Sequence, residues 1–97
     1  MIGVTPRARR QIAELRFYYE RELRLDAARN LNQAIQEAAR RIEGDPAAGL
    51  PAPRPYPTLA RPGQAWIKAG PYRVRYSLTT PAITAVFHER ADIPGRV

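Results

Sequence analysis

The sequence predicts an α+β fold in which an N-terminal helical hairpin packs on a small antiparallel sheet of three to four strands. Two patterns predict it: apolar residues recur at helical spacing through the first half of the chain, and apolar and polar residues alternate in the last third. A proline-rich stretch separates the two patterns. A chain of 97 residues is expected to form one domain, here over residues 1–97.

The first half of the chain predicts one short strand and two helices, over residues 1–4, 6–24 and 27–43. Thr5 is a favourable N-cap residue, and Pro6 suits the first helical position because that position needs no amide donor. Asp26 is the expected N-cap of the second helix. Gly44 and Pro46 predict where that helix ends, since proline cannot continue it.

Both predicted helices place an apolar residue at every third or fourth position, which gives each of them one apolar face. In the first helix these residues are Ala8, Ile12, Leu15, Tyr19 and Leu23. In the second helix they are Ala28, Leu31, Ile35, Ala38 and Ile42. Because only a short turn joins the helices, we expect an antiparallel hairpin.

A proline-rich connector is predicted over residues 45–64. Alternate residues at its centre are proline, at Pro51, Pro53, Pro55 and Pro57. Proline at these positions excludes both a helix and a central strand. We therefore expect an extended segment that crosses the domain, with Leu50, Tyr56 and Leu59 as candidates to reach the core.

The predicted sheet covers residues 65–90. Its most regular strand alternates, with Tyr72, Val74, Tyr76 and Leu78 on one face and Arg73, Arg75 and Ser77 on the other. Residues 82–88 are apolar on both faces, which predicts a central strand. The C-terminal residues 92–97 are expected to be frayed.

The composition is strongly basic, with a net charge of +7. Such a charge predicts association with nucleic acid, membrane phosphates or an acidic protein, although an arginine-rich composition alone could produce it. The chain has no cysteine and one histidine, so neither a disulfide nor a metal site is expected, and no cofactor. Without an apolar run of bilayer length or a signal sequence, we expect a cytoplasmic protein that contacts no membrane.

Basic residues cluster on the predicted sheet. Arg73 and Arg75 share one strand face at a spacing of about 7 Å, with Lys68 near the preceding turn and Arg90 beyond the last strand. Such a cluster could bind phosphates through bidentate guanidinium contacts. The alternative is a solvated face that prevents edge-to-edge pairing.

Three further side chains have both a functional and a structural interpretation. His88 has a reference pKa near neutrality and could act as the general base that activates an RNA 2′-hydroxyl, or it could simply bond to the backbone at a strand end. Trp66 and Tyr72 could stack on bases, although aromatic rings on strands are more often core residues.

Four strings of the sequence occur in a characteristic order: Val4–Ile12, Ala27-Ala28 with Ile42 and Asp45-Pro46, Gly70–Tyr76, and Val86–Ile93. Together with the order strand, helical hairpin, connector and sheet, they resemble the RelE/ParE superfamily of toxins from type II toxin–antitoxin systems. The resemblance covers nearly the whole chain.

The resemblance implies one of two activities. RelE-like members cleave messenger RNA in the ribosomal A site with basic residues and usually a C-terminal tyrosine, whereas ParE-like members poison DNA gyrase. Arg73 and Arg90 match arginines of the superfamily, but residues 89–97 contain no tyrosine, and the string His88–Arg90 is similar to ParE-like members. The chain is therefore expected to be a ParE-like plasmid stabilisation protein that binds gyrase and is not itself an enzyme.

The resemblance also implies a cognate ParD-like antitoxin, whose acidic C-terminal segment folds on the toxin in a hetero-oligomer. The residues expected to contact partners are Trp66, Lys68, Tyr72, Arg73, Arg75, His88 and Arg90. Two alternatives stay open. One is a ribosome-dependent messenger RNA endonuclease that uses Arg73, Arg90 and His88, and the other is an inactive relative that serves only as an interaction module.

Overall fold

A computed structural model describes residues 2–97; Met1, the first residue of the predicted strand 1–4, lies outside the described residues. The elements are β1 (Gly3–Val4), α1 (Pro6–Arg21), α2 (Leu25–Gly44), β2 (Gln64–Ala69), β3 (Tyr72–Ser77), β4 (Ala82–His88) and a single-turn α3 (Ile93–Arg96). Two short 3₁₀ turns, Pro46–Ala48 and Pro57–Leu59, lie in the proline-rich connector. The α+β class and the helical hairpin are as predicted.

The four strands form one sheet in the order β1-β4-β3-β2. β2 pairs antiparallel with β3, and β3 pairs antiparallel with β4, as the sequence predicts. β1 instead pairs parallel with β4, so the sheet is mixed. The turns between β2, β3 and β4 enforce antiparallel pairing, whereas β1 is joined to β4 only through the rest of the chain and no hairpin fixes its direction.

The N-terminus of α1 follows the prediction and the turn after it does not. The Thr5 hydroxyl accepts a bond from the Ala8 amide at 3.2 Å, and Pro6 occupies the first turn. The helix stops at Arg21, and Leu23 adopts a positive φ of 57° in the turn. Leu23 is 84% exposed, so it does not extend the apolar face as predicted.

Asp26 is not the N-cap of α2. The helix begins at Leu25, two residues before the predicted start at residue 27, and the cap position belongs to Arg24, which makes no side-chain capping bond within residues 2–97. Asp26 lies in the first helical turn, where its carboxylate interacts favourably with the helix dipole. The turn between the helices covers residues 22–24, whereas the predicted helices leave residues 25–26 between them, so the turn lies earlier in the chain and α2 begins before Asp26.

Both faces of the sheet are covered, each by a different core. The larger core lies between the sheet and the two long helices and includes Leu31, Ile42, Val74 and Ile83. The smaller core lies on the other side and consists of Trp66, Ala85, Phe87 and Ile93, with Tyr56 and Leu59 of the connector packed against it. The Trp66 and Phe87 rings stack with centroids 6.1 Å apart.

The C-terminal segment is ordered by this smaller core. Ile93 is 0% exposed, and the Asp92 carboxylate accepts a bond from the Gly95 amide at 3.4 Å. The prediction of a frayed end over residues 92–97 is therefore wrong at Ile93. One apolar side chain that fills a gap on the sheet can fix a segment whose sequence otherwise indicates disorder.

The Tyr76 hydroxyl fastens the connector to the sheet. It donates to the Pro46 carbonyl at 2.6 Å and accepts from the Gly49 amide at 3.1 Å. A side chain at Gly49 would overlap with this hydroxyl, so glycine is required there for close approach. Leu50 then exchanges two backbone bonds with Trp66, at 2.8 and 2.7 Å, along the outer edge of β2.

Replacing Tyr76 by phenylalanine should lower the free energy of unfolding by about 1–3 kcal/mol, because the Gly49 amide and the Pro46 carbonyl lose their shared partner. Urea denaturation followed by circular dichroism measures the loss. Tyr18→Phe is the matched control, since Tyr18 is an exposed tyrosine on α1. Equal midpoints for the two variants would contradict this role of Tyr76.

Candidate partner-binding surface

Four of the predicted residues lie side by side on the sheet face that points away from the long helices. Lys68 is the register partner of Arg73, and Trp66 is the register partner of Arg75, across β2 and β3. Partners across a ladder point to the same side of the sheet. We call Trp66, Lys68, Arg73 and Arg75 the basic face.

Arg75 is fixed in place by its neighbours. Its Nε donates to the Thr84 hydroxyl at 3.0 Å, and its guanidinium carbon lies 6.0 Å from the centre of the Trp66 ring. The register shifts between Arg75 and Tyr76, and this bulge leaves Thr84 without a partner in the β3–β4 ladder. Burial, with a smaller effect from the charge of Arg7, lowers the pKa of Arg75.

Arg73 is held much less firmly than Arg75. It is half-buried, and its Nε is shielded from solvent without a hydrogen-bond acceptor in the described part of the chain. The Trp66 Nε1 belongs to a side chain that is only 2% exposed, and it too is buried without a hydrogen-bond acceptor in the described part of the chain. Two donors of the basic face therefore stay available for an acceptor from elsewhere.

Lys68 lies at the exposed rim of the basic face. Its Nζ is 3.1 Å from the Glu89 carboxylate, and the hydrogen bond from Lys68 is the main reason why the pKa of Glu89 is lowered. The Lys68 carbonyl accepts a bond from Arg41 at 2.7 Å. Arg41 thus brings a further cation from the end of α2 to the edge of this face.

Tyr72 and His88 lie on the opposite side of the sheet from Arg73. They are register partners, and their rings meet edge to face with centroids 5.6 Å apart. The Tyr72 hydroxyl is 2.6 Å from the Tyr19 hydroxyl inside the larger core. The His88 Nδ1 accepts a bond from the Arg90 amide at 3.1 Å, which is the structural role that the sequence left as an alternative.

The three residues proposed for a nuclease are therefore divided between two surfaces. Arg73 and His88 are separated by the sheet, because neighbouring positions of paired strands alternate between its faces. Arg90 is exposed beyond the end of β4, where it lines a groove with Tyr18, Arg24 and His88. Neither the Trp66 ring nor the Tyr72 ring is exposed enough to stack on a base.

Sequence reasoning missed two cations beside the basic face, Arg41 and Arg54. Both line a pocket together with Lys68 and Arg73, although they come from α2 and from the connector. No local pattern could have indicated this, because only the folding of the connector across β2 places them there. Over residues 2–97, no helix could cross a membrane, and no group of three metal-ligating side chains forms a cluster.

The chain matches a family model described as the ParE toxin of type II toxin-antitoxin system, parDE. The match covers residues 2–93, which is nearly the whole chain and includes every strand and both long helices. No protein of curated function is similar enough in sequence to count as a match.

Arg75→Ala should destabilise the protein more than Arg73→Ala does, although both remove one half-buried arginine from β3. We expect a loss of about 1–2 kcal/mol for Arg75→Ala, because the bond to Thr84 and the contact with Trp66 disappear together. Arg73→Ala should cost less than half as much, since its Nε has no acceptor within residues 2–97. Thermal and urea unfolding of the pair decide the order, and the reverse order would contradict these assignments.

Stability at alkaline pH should depend on Tyr72. Burial, and then the hydrogen bond with Tyr19, raise the pKa of Tyr72 above its ordinary value of 10.0. Below pH 10 both states keep the proton, and above it the unfolded chain loses the proton while the folded chain retains it. The free energy of unfolding should therefore fall as the pH rises above 10.

Tyr72→Phe should make this fall shallower between pH 10 and 12, and Tyr18→Phe, which changes an exposed tyrosine, should not. Guanidinium denaturation at closely spaced pH values measures the slope. Identical slopes for wild type and Tyr72→Phe would mean that the Tyr72 proton is not held by the fold.

Proposed function

This chain belongs to the ParE toxin family of type II toxin–antitoxin systems, and on that premise we propose that it inhibits DNA gyrase by binding. We further propose that a cognate ParD-like antitoxin neutralises it in a hetero-oligomeric complex. Both partners are expected in the cytoplasm, where loss of the antitoxin would release the toxin and so stabilise a plasmid that encodes the pair.

The observation that carries the binding proposal is the separation of Arg73 from His88 by the sheet. In-line cleavage of RNA needs a proton acceptor and a proton donor beside the group that stabilises charge. The basic face offers guanidinium groups and an ammonium group. Glu89, whose carboxylate contacts Lys68, is a weakened base because Lys68 lowers its pKa. These features favour a surface that binds over one that cleaves.

The same surface suits an acidic antitoxin segment. The net charge of +7 attracts a polyanion, and the cations of the basic face and Arg90 are the side chains we propose for direct contact. Tyr72 would act from beneath, as a buried residue that keeps β3 rigid, and Trp66, whose ring is buried, would offer only its Nε1 donor. A separate groove lies between α1 and α2. Val4, Ile12 and Ile35 give it an apolar part that would accept apolar residues of the antitoxin, and Arg9 and Arg16 line it as well.

The experiment is a gyrase supercoiling assay with the purified toxin, run beside a translating-ribosome assay on primed messenger RNA. We expect inhibition of supercoiling and intact messenger RNA, and relief of inhibition when the antitoxin is added. Arg90→Gln should reduce inhibition, whereas Arg29→Gln, an exposed arginine on α2, is the matched control and should not.

Other outcomes select the alternatives. Codon-specific cuts on translating ribosomes would overturn gyrase binding and identify a RelE-like endonuclease. Absence of both activities, with normal growth after induction, would identify a family member that has become an interaction module.

A further inference from the structure

A pocket of about 330 Å³ lies where the connector crosses the outer edge of β2 near the end of α2. Four of its lining residues are cationic, namely Arg41, Arg54, Lys68 and Arg73. The other lining residues are Ala48, Leu50, Pro53, Trp66 and Ile67. No acidic side chain lines it among residues 2–97, so four positive charges converge on a partly apolar hollow.

Two donors without acceptors belong to this pocket. Trp66 and Arg73 both line it, and the Trp66 Nε1 and the Arg73 Nε are the buried side-chain polar atoms that find no partner in the described chain. The two residues are diagonal neighbours on the basic face, since Lys68 is the register partner of Arg73 and Trp66 lies two positions before Lys68. Buried donors are normally satisfied, so an acceptor from outside the chain is expected here.

We propose that this pocket binds one carboxylate of an acidic peptide, a glutamate or aspartate side chain that enters between Leu50 and Lys68. An ionised carboxylate only accepts hydrogen bonds and can take several at once, which matches a guanidinium and an indole N–H. The inference rests on the proposed function for the identity of the partner, the antitoxin, and on the pocket itself for the chemistry.

The pocket favours a peptide carboxylate over a nucleic acid phosphate for two reasons. Leu50, Pro53 and Ile67 give it apolar walls, which suit the aliphatic stem of a glutamate and its apolar neighbours. A nucleic acid backbone needs a continuous track of cations. No such track leads on from the pocket in the described chain, because Arg75 is bound to Thr84 and Arg90 lies past the end of β4.

Glu89 would compete with an incoming carboxylate for the ammonium group of Lys68. Glu89 does not line the pocket, but it holds the Lys68 ammonium at 3.1 Å on the exposed rim. An incoming carboxylate must share Lys68 with Glu89 or replace it. Removing the negative charge at Glu89 should therefore strengthen the binding of an acidic peptide.

Binding can be followed by NMR at Trp66, because it is the only tryptophan of the chain and gives a single indole N–H resonance. The titration uses ¹⁵N-labelled toxin with the blocked peptide Ac-Leu-Glu-Leu-NH₂, and Ac-Leu-Gln-Leu-NH₂ as the matched peptide. We expect a saturable downfield shift of the indole resonance with the first peptide and none with the second. Inorganic phosphate at equal ionic strength forms a third arm.

Variants locate the site. Arg73→Gln should weaken binding of the glutamate peptide by about tenfold, as loss of a charged hydrogen-bond donor predicts. Arg54→Gln, on the exposed connector, should also weaken it and cannot fail merely through misfolding of the sheet. Glu89→Gln should tighten binding, and Arg29→Gln, which changes an exposed arginine of α2 outside the pocket, is the control that should not change it.

An indole resonance that stays in place, or that moves equally with the glutamine peptide, would overturn the proposal. So would wild-type affinity in both Arg73→Gln and Arg54→Gln. Tighter binding of phosphate than of the glutamate peptide would reassign the pocket to a phosphate ligand. The titration needs neither gyrase nor antitoxin, so it can fail while the supercoiling assay succeeds, and the reverse holds as well.

Discussion

The alternation of side chains along β3 is the constraint on which the rest of this molecule depends. Tyr72, Val74 and Tyr76 fill the core beneath the long helices, and Arg73 and Arg75 stand between them on the other side. A shift of one residue would bury two guanidinium groups and expose three core residues, so the register is strongly specified. The surface that we propose for a partner is therefore set by the same strand that holds the core.

The far side of the sheet is a mixed surface, because the connector and the C-terminus cover part of it. Trp66, Phe87 and Ile93 form a small core there, and Tyr56 and Leu59 close it from the connector. The contact with the Trp66 ring and the bond to Thr84 hold Arg75 in place and reduce the entropy that this side chain can lose on binding. The connector, which joins the two halves of the chain, thus also shapes the site.

Local patterns in the sequence were enough to predict the parts of the fold that depend on local spacing. The 3.6-residue period located both helices, and the two-residue period placed Arg73 and Arg75 on one face. The errors at Leu23, Asp26 and Ile93 have a different origin, since each depends on how a turn or a chain end meets the rest of the fold. The grouping of Arg41 and Arg54 with Arg73 depends wholly on tertiary structure and has no signal in the sequence.

Arg73 and Arg75 lie on the same strand but differ in role, since Arg75 stabilises the fold and Arg73 is proposed to bind a partner. Arg75 has its donor satisfied by Thr84 and its charge placed over Trp66, so the fold already uses it. The Nε of Arg73 and the Nε1 of Trp66 are shielded from water without acceptors in the described chain, an arrangement that costs free energy in the free protein. A partner that supplies the acceptor recovers that cost only in the complex, so it stabilises the folded toxin by an amount that grows with the logarithm of its concentration divided by its Kd. The two donors that lack acceptors in the free protein are thus the ones whose hydrogen bonding would improve when a partner binds.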